Sequence, residues 1–174
     1  MKAKYCKDSR VIRTTRVFPN EVNNHNTLFG GSLMNHLDQV ASTSAARHSR
    51  MDCVTASTDS IDFLYPIKTT DSVSFESYVT WTRRTSMEVF VKIIAEDLKS
   101  GDRRIAANAL LTFVALDQYK SPTPVPLVIP ETEEEIKLHE TAPERAKRRM
   151  ERKEKWEYLV GFLTTTEPWD QYIP

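Results

Sequence analysis

The segment from Asn23 to Asp38 reads N-N-H-N-T-L-F-G-G-S-L-M-N-H-L-D, and its residue types and spacing suit chemistry. Two of the chain's four glycines, Gly30 and Gly31, stand together there, directly before a stretch with helical patterning. Paired glycines at a helix start leave backbone N–H groups approachable, and the peptide dipoles make that end weakly positive. Asp38 follows seven residues after Gly31, two turns on and on nearly the same face. Donors aimed at one point, with a carboxylate nearby, suit chemistry at a carbonyl group.

These residues need a scaffold, and the flanking patterns supply one. Residues 10–18 have strand character, and Pro19–Asn26 is a polar loop with four asparagines. Segment 31–48 reads as a helix, with Leu33, Leu37, Val40, Ala41, Ser44 and Ala45 on one face. Its small residues between Ala41 and Ala46 fit a helix wrapped closely by a sheet. Strand candidates follow at Val54–Tyr65, at 71–81 (Val73, Phe75, Ser77, Val79, Trp81), at 87–95 (Met87, Val89, Val91, Ile93, Ala95) and at Arg104–Leu116. The last is apolar on both faces, which predicts a central strand. One strand, one helix and four strands with short connections imply an α+β layer, an antiparallel sheet carrying one long helix.

At 174 residues the chain fits one domain, 1–120, followed by a Pro-rich linker and helical tail, 121–174. Pro122, Pro124, Pro126 and Pro130 make the linker stiff. Two capping boxes, Thr132 with Glu135 and Thr141 with Glu144, predict helices over 132–140 and 142–157, with residues 161–174 peripheral. A net charge of zero gives no electrostatic footprint for nucleic acid. No run approaches the roughly 20 apolar residues of a membrane span, and the first ten residues lack the apolar core of a signal peptide. Cys6 and Cys53 match no metal or redox spacing and read as free thiols, so a cytoplasmic protein is expected.

The motifs V-F-P-N-E-V-N and T-L-F-G-G-S-L-M-N-H-L-D-Q-V-A resemble the acyl-CoA thioesterases of the hotdog fold, the bacterial cytosolic and brain-type acyl-CoA hydrolases. Three further stretches are similar to that family: V-T-A-S-T-D-S-I-D-F-L-Y-P (54–66), W-T-R-R-T-S-M-E-V (81–89), and A-E-D-L through F-V-A-L-D (95–117). The resemblance spans about residues 10–120 without a gap. It implies a curved antiparallel sheet around one long helix, and edge-to-edge dimers with active sites at the interface. It also implies higher assemblies, often a hexamer built as a trimer of dimers. Asp38 stands at the family's catalytic carboxylate and Asn23 at the loop asparagine that acts across the dimer. A backbone N–H near Gly31 would polarise the thioester carbonyl. The family's usual Pro and Gly in that loop are Asn24 and Asn26 here, and Asn tolerates the left-handed backbone.

The expected reaction is hydrolysis of an acyl-CoA to a free acid and coenzyme A, without metal or redox cofactor. Asp38 is general base or nucleophile, and Asn23 holds the water or the carbonyl. Gly30 would line the substrate site. Arg84, Thr85, Ser86 and Met87, at a strand-to-strand turn, resemble a family segment near the coenzyme A groove and suit phosphate and pantetheine contacts. His25, His36, His48 and His139 lack metal spacing and read as structural; no G-x-S-x-G elbow is present. The alternative is a non-catalytic acyl-CoA sensor of the same fold, although the short segment before the first strand leaves no room for the DNA-binding part such regulators carry.

Overall fold

The computed structural model describes residues 1–166. Two compact units divide the chain, Met1–Glu140 and a second from Thr141. Short elements open the first: β1 (Lys4–Tyr5), α1 (Cys6–Ser9) and β2 (Val11–Arg16). A single 3-10 turn, Pro19–Glu21, leads through the asparagine-rich loop to α2 (Gly30–Ser49). Then come β3 (Asp52–Phe63), β4 (Asp71–Thr82), β5 (Ser86–Asp97) and β6 (Arg103–Leu116), and later β7 (Val128–Ile129) and α3 (Glu133–Val160).

Five strands form one antiparallel sheet in the order β2-β4-β5-β6-β3. The expected central position of β6 is met, because β5 and β3 flank it. Period-two alternation places Val73 and Phe75 of β4, and Met87, Val89, Val91, Ile93 and Ala95 of β5, at 0 % exposure. The face of α2 expected from its periodicity, Leu33, Leu37, Val40, Ala41, Ser44 and Ala45, is buried as a set. Helix and sheet approach closely because small polar residues meet between them. Ser44 Oγ lies 2.7 Å from Ser77 Oγ, and Ser77 Oγ donates to the Val40 carbonyl at 3.0 Å. Burying hydroxyls is tolerated here because each has a partner.

Two features differ from expectation. The proline-rich stretch is extended but bound to the sheet unit. Val125 N–H donates to Arg84 O at 3.0 Å, His48 Nε2 meets Pro126 O at 2.8 Å, and β7 pairs in parallel with β1. Residues 133–160 form one helix rather than two, with Pro143 inside it. Pro143 lacks the N–H that would bond the preceding turn. Thr141 does not act as a cap: its hydroxyl accepts from Arg145 Nη1 at 2.5 Å, one turn on within the helix. The first capping box forms as expected, with Glu135 N–H on Thr132 Oγ1 at 3.3 Å and Thr132 N–H on Glu135 Oε2 at 3.0 Å.

Candidate active site

α2 begins at the glycine pair, with Phe29 as its cap residue and no side-chain cap bond. Leu33 N–H reaches Phe29 O at 3.0 Å. The N–H groups of Gly30, Gly31 and Ser32 have no acceptor among the described residues, as expected of a first turn. A Cβ at Gly31 would stand 2.5 Å from Cε1 of the Phe29 ring, an exposed side chain that would have to turn aside. At Gly30 a Cβ would touch the Phe63 ring at 3.7 Å, an ordinary contact.

A cleft of about 280 Å³ opens beside this helix start. Asn23, Leu28, Gly30, Leu33, Phe63 and Ile67 are among its lining residues. The asparagine is held by its own loop. Its Oδ1 accepts from His25 N–H at 2.9 Å and Thr27 N–H at 3.3 Å, and its Nδ2 donates to Thr27 Oγ1 at 3.0 Å. Asn26 takes φ +57°, the left-handed conformation that asparagine accepts more readily than most residues.

Asp38 lies on the exposed side of α2. Its Oδ1 accepts from Thr55 Oγ1 at 2.9 Å. Thr55 sits on β3, an edge strand, so a helix carboxylate is oriented by a strand hydroxyl while Oδ2 faces outward without a partner among the described residues. Thr55 was missed in the sequence. Its signal was present inside the V-T-A-S-T motif, but a link across 17 residues has no local signature.

The residues read as one site are spread out within a single chain. Seven residues of helix place Asp38 about 10 Å along the axis from Gly31. Among the described residues no hydrogen bond joins Asn23 to Asp38. The turn after β4 lies at the far end of the sheet from the glycines. Gly30 abuts Phe63, which pairs with Ala107 of β6, whereas Thr85 O accepts from Ala115 N–H at the other end of that strand, about 26 Å further along. Arg84 is exposed, and Thr85 and Ser86 are half-buried. Met87 is a correction: its side chain is wholly buried in the core opposite Phe113, so only its backbone borders the turn. No group of three or more His, Cys, Asp or Glu side chains that could hold a metal ion occurs among the described residues. No helix there is long and apolar enough to cross a membrane.

A five-stranded antiparallel sheet carrying one long helix, with an open helix N-terminus beside a cleft, defines the hotdog class. The family described as "Thioesterase superfamily" matches residues 25–101. An uncharacterized acyl-CoA thioester hydrolase of Bacillus subtilis, YkhA, is 58 % identical over 95 % of this chain and 96 % of its own length. An acyl-CoA hydrolase structure from Bacillus cereus superposes with a TM-score of 0.91 at 54 % identity, covering 94 % of this chain and 99 % of that one. An acyl-CoA hydrolase from Staphylococcus aureus, in complex with butyryl coenzyme A and coenzyme A, matches with a TM-score of 0.89 at 39 % identity, over 92 % and 98 % of the two chains. A structure described as an apo-hexameric acyl-CoA thioesterase matches at 0.85 and 40 % identity, over 87 % and 97 %. The chain belongs to the thioesterase superfamily.

Proposed function

We propose that this protein hydrolyses acyl-CoA thioesters to a carboxylic acid and coenzyme A. The observation that carries the reading is the Thr55–Asp38 pair, an outward carboxylate fixed at one oxygen and free at the other. The asparagine, aspartate and threonine changed to alanine in variants of the Staphylococcus aureus hydrolase are separated by 15 and 17 residues, as are Asn23, Asp38 and Thr55 here.

In this reading the free Asp38 oxygen takes a proton from water, and the hydroxide adds to the thioester carbon. The carbonyl oxygen gains charge against the Gly31 N–H, an interaction worth about 3–4 kcal/mol in comparable sites. Collapse of the adduct breaks the C–S bond. The coenzyme A thiolate leaves readily, since a free thiol has a pKa of about 8.5. Gly30 and Asn23 border the carbonyl from the cleft side.

Direct contact of Asp38 and Gly31 with one carbonyl would span about 7 Å, less than the ~10 Å of helix between them. A second copy resolves this, with Asp38 of one chain meeting Asn23 and Gly31 of another. The long edge strand β3 suits such pairing. Val54 and Phe63 on it, and Leu64 and Tyr65 after it, are about half exposed (47–59 %), and an open edge of twelve residues calls for a partner. Arg84, Thr85 and Ser86 would then meet the coenzyme A moiety from the other chain. The hexameric relative supports further assembly to a hexamer, which three such dimers would make.

Thiol release from short, medium and long acyl-CoAs tests the proposal. Turnover on at least one chain length is expected. Tight binding with no release would replace the hydrolase with a sensor.

A further inference from the structure

A second polar cluster lies beside the candidate site, in the bend that carries Asn23 from β2 to α2. Glu21 is its hub. Its Oε2 accepts Phe18 N–H at 3.1 Å, its main-chain carbonyl accepts Phe29 N–H at 2.7 Å, and its Oε1 meets His36 Nε2 at 3.0 Å. One residue thus ties together the exit from β2, the residue before Gly30 and the second turn of α2. The two side chains are largely enclosed, at 11 % exposure for His36 and 20 % for Glu21. The His36 ring packs against Phe75 with centroids 5.3 Å apart, and Phe75 is fully buried in the core. Nδ1 of His36 is buried without a partner, so Nε2 is the ring nitrogen with an acceptor, and its N–H points at Glu21.

The bonds of the Asn23 side chain stay within residues 23–27. They shape the loop but do not fix it to the helix. The polar side-chain link from this bend to α2 is Glu21–His36. The geometry points to His36 and Glu21 as positioning residues for the reaction, holding Asn23 and the Gly30–Gly31 helix start in register. The inference rests on the proposed hydrolase reading, and neither residue reaches substrate. His36 stands two residues from Asp38, about 200° around the helix, so the two side chains face different ways.

The test compares His36→Gln, which keeps an N–H donor, with His36→Leu, which removes it. Readouts are kcat and KM, melting temperature, and backbone hydrogen exchange over residues 18–29. His36→Leu is expected to lower kcat about 10- to 100-fold, with a smaller change in KM, because sub-ångström misplacement acts on the reacting geometry. Exchange should rise over 18–29 and stay slow in β4–β6, and His36→Gln should restore most of the rate. In an Asn23→Ala background the leucine substitution should cost a smaller factor, since both changes act through one loop. An equal factor in both backgrounds would overturn the inference, as would unchanged kcat and exchange. If the leucine variant melts globally, Glu21→Gln reads the same cycle with a gentler change. If the wild type releases no thiol from any acyl-CoA, the hydrolase reading fails, and the exchange data alone decide whether the pair orders the bend.

Discussion

Thr55 and Asp38 meet at 2.9 Å from consecutive elements, the hydroxyl on edge strand β3 and the carboxylate on the exposed side of α2. The bond leaves one carboxylate oxygen committed and the other outward, which is the arrangement a general base needs.

Thr55→Val removes the donor and keeps the β-branched shape. Both residues are exposed, so stability should change by no more than about 0.5 kcal/mol, while kcat should fall about tenfold or more through loss of orientation. Thiol-release kinetics beside a melting curve separate the two effects. An unchanged rate would remove Thr55 from the account.

Gly31→Ala sets two effects against each other. Alanine is favoured over glycine in a helix by up to about 1 kcal/mol. The new Cβ displaces the Phe29 ring, which is 54 % exposed and has room to turn. Melting temperature should hold or rise while turnover falls, because a methyl and a moved ring crowd the N–H that faces the carbonyl. A variant with full rate would place the oxyanion elsewhere.

Asn23→Ala and Asp38→Ala subunits, each much slower than wild type alone, should regain part of the rate when mixed. One interface of the mixed dimer would carry both intact residues. No recovery in verified mixed dimers would contradict a site shared between chains.

Acid should unfold the protein through its paired carboxylates. The His36 hydrogen bond holds Glu21 below the usual range, against an opposing burial effect. At Glu134, burial pushes upward, but hydrogen bonds from Lys92 and Tyr78 outweigh it; at Glu135, burial is outweighed by the Thr132 and Glu131 amides and Arg10. A carboxyl with a lowered folded pKa stabilises above its unfolded value of 4.5 and loses that contribution as pH falls through the folded one. Melting temperature should therefore be flat from neutral pH to about 5 and fall below about 4.5. Glu134→Gln should shallow that fall, and an unaltered slope would exclude the Lys92–Glu134 pair as a contributor.

Much of this molecule was legible in advance where one face of an element is buried. Leu33 to Ala45 on α2, and Met87 to Ala95 on β5, repeat at the period of their structure and are buried together. The start of α2 at Gly30–Gly31 and the place of Asp38 on the exposed side of that helix were also readable from residue type and spacing. What stayed hidden depends on long-range partners. β1 and β7 are two residues each, too short for any period, and they pair across more than a hundred residues. Thr55 acquires meaning only from Asp38, and His36, read as merely structural, only from Glu21. Met87 sat in a family-like turn but takes the inward position of its strand, so its side chain belongs to the core. Pro143 beside a capping box suggested a break that the helix does not make.

The most direct measurement is thiol release by wild type and Asp38→Asn on the best acyl-CoA. Asparagine keeps the size and still accepts the Thr55 hydroxyl but takes no proton from water. A loss of about 10²-fold or more with an unchanged melting temperature is expected. An Asp38→Asn variant that turns over at the wild-type rate would contradict it.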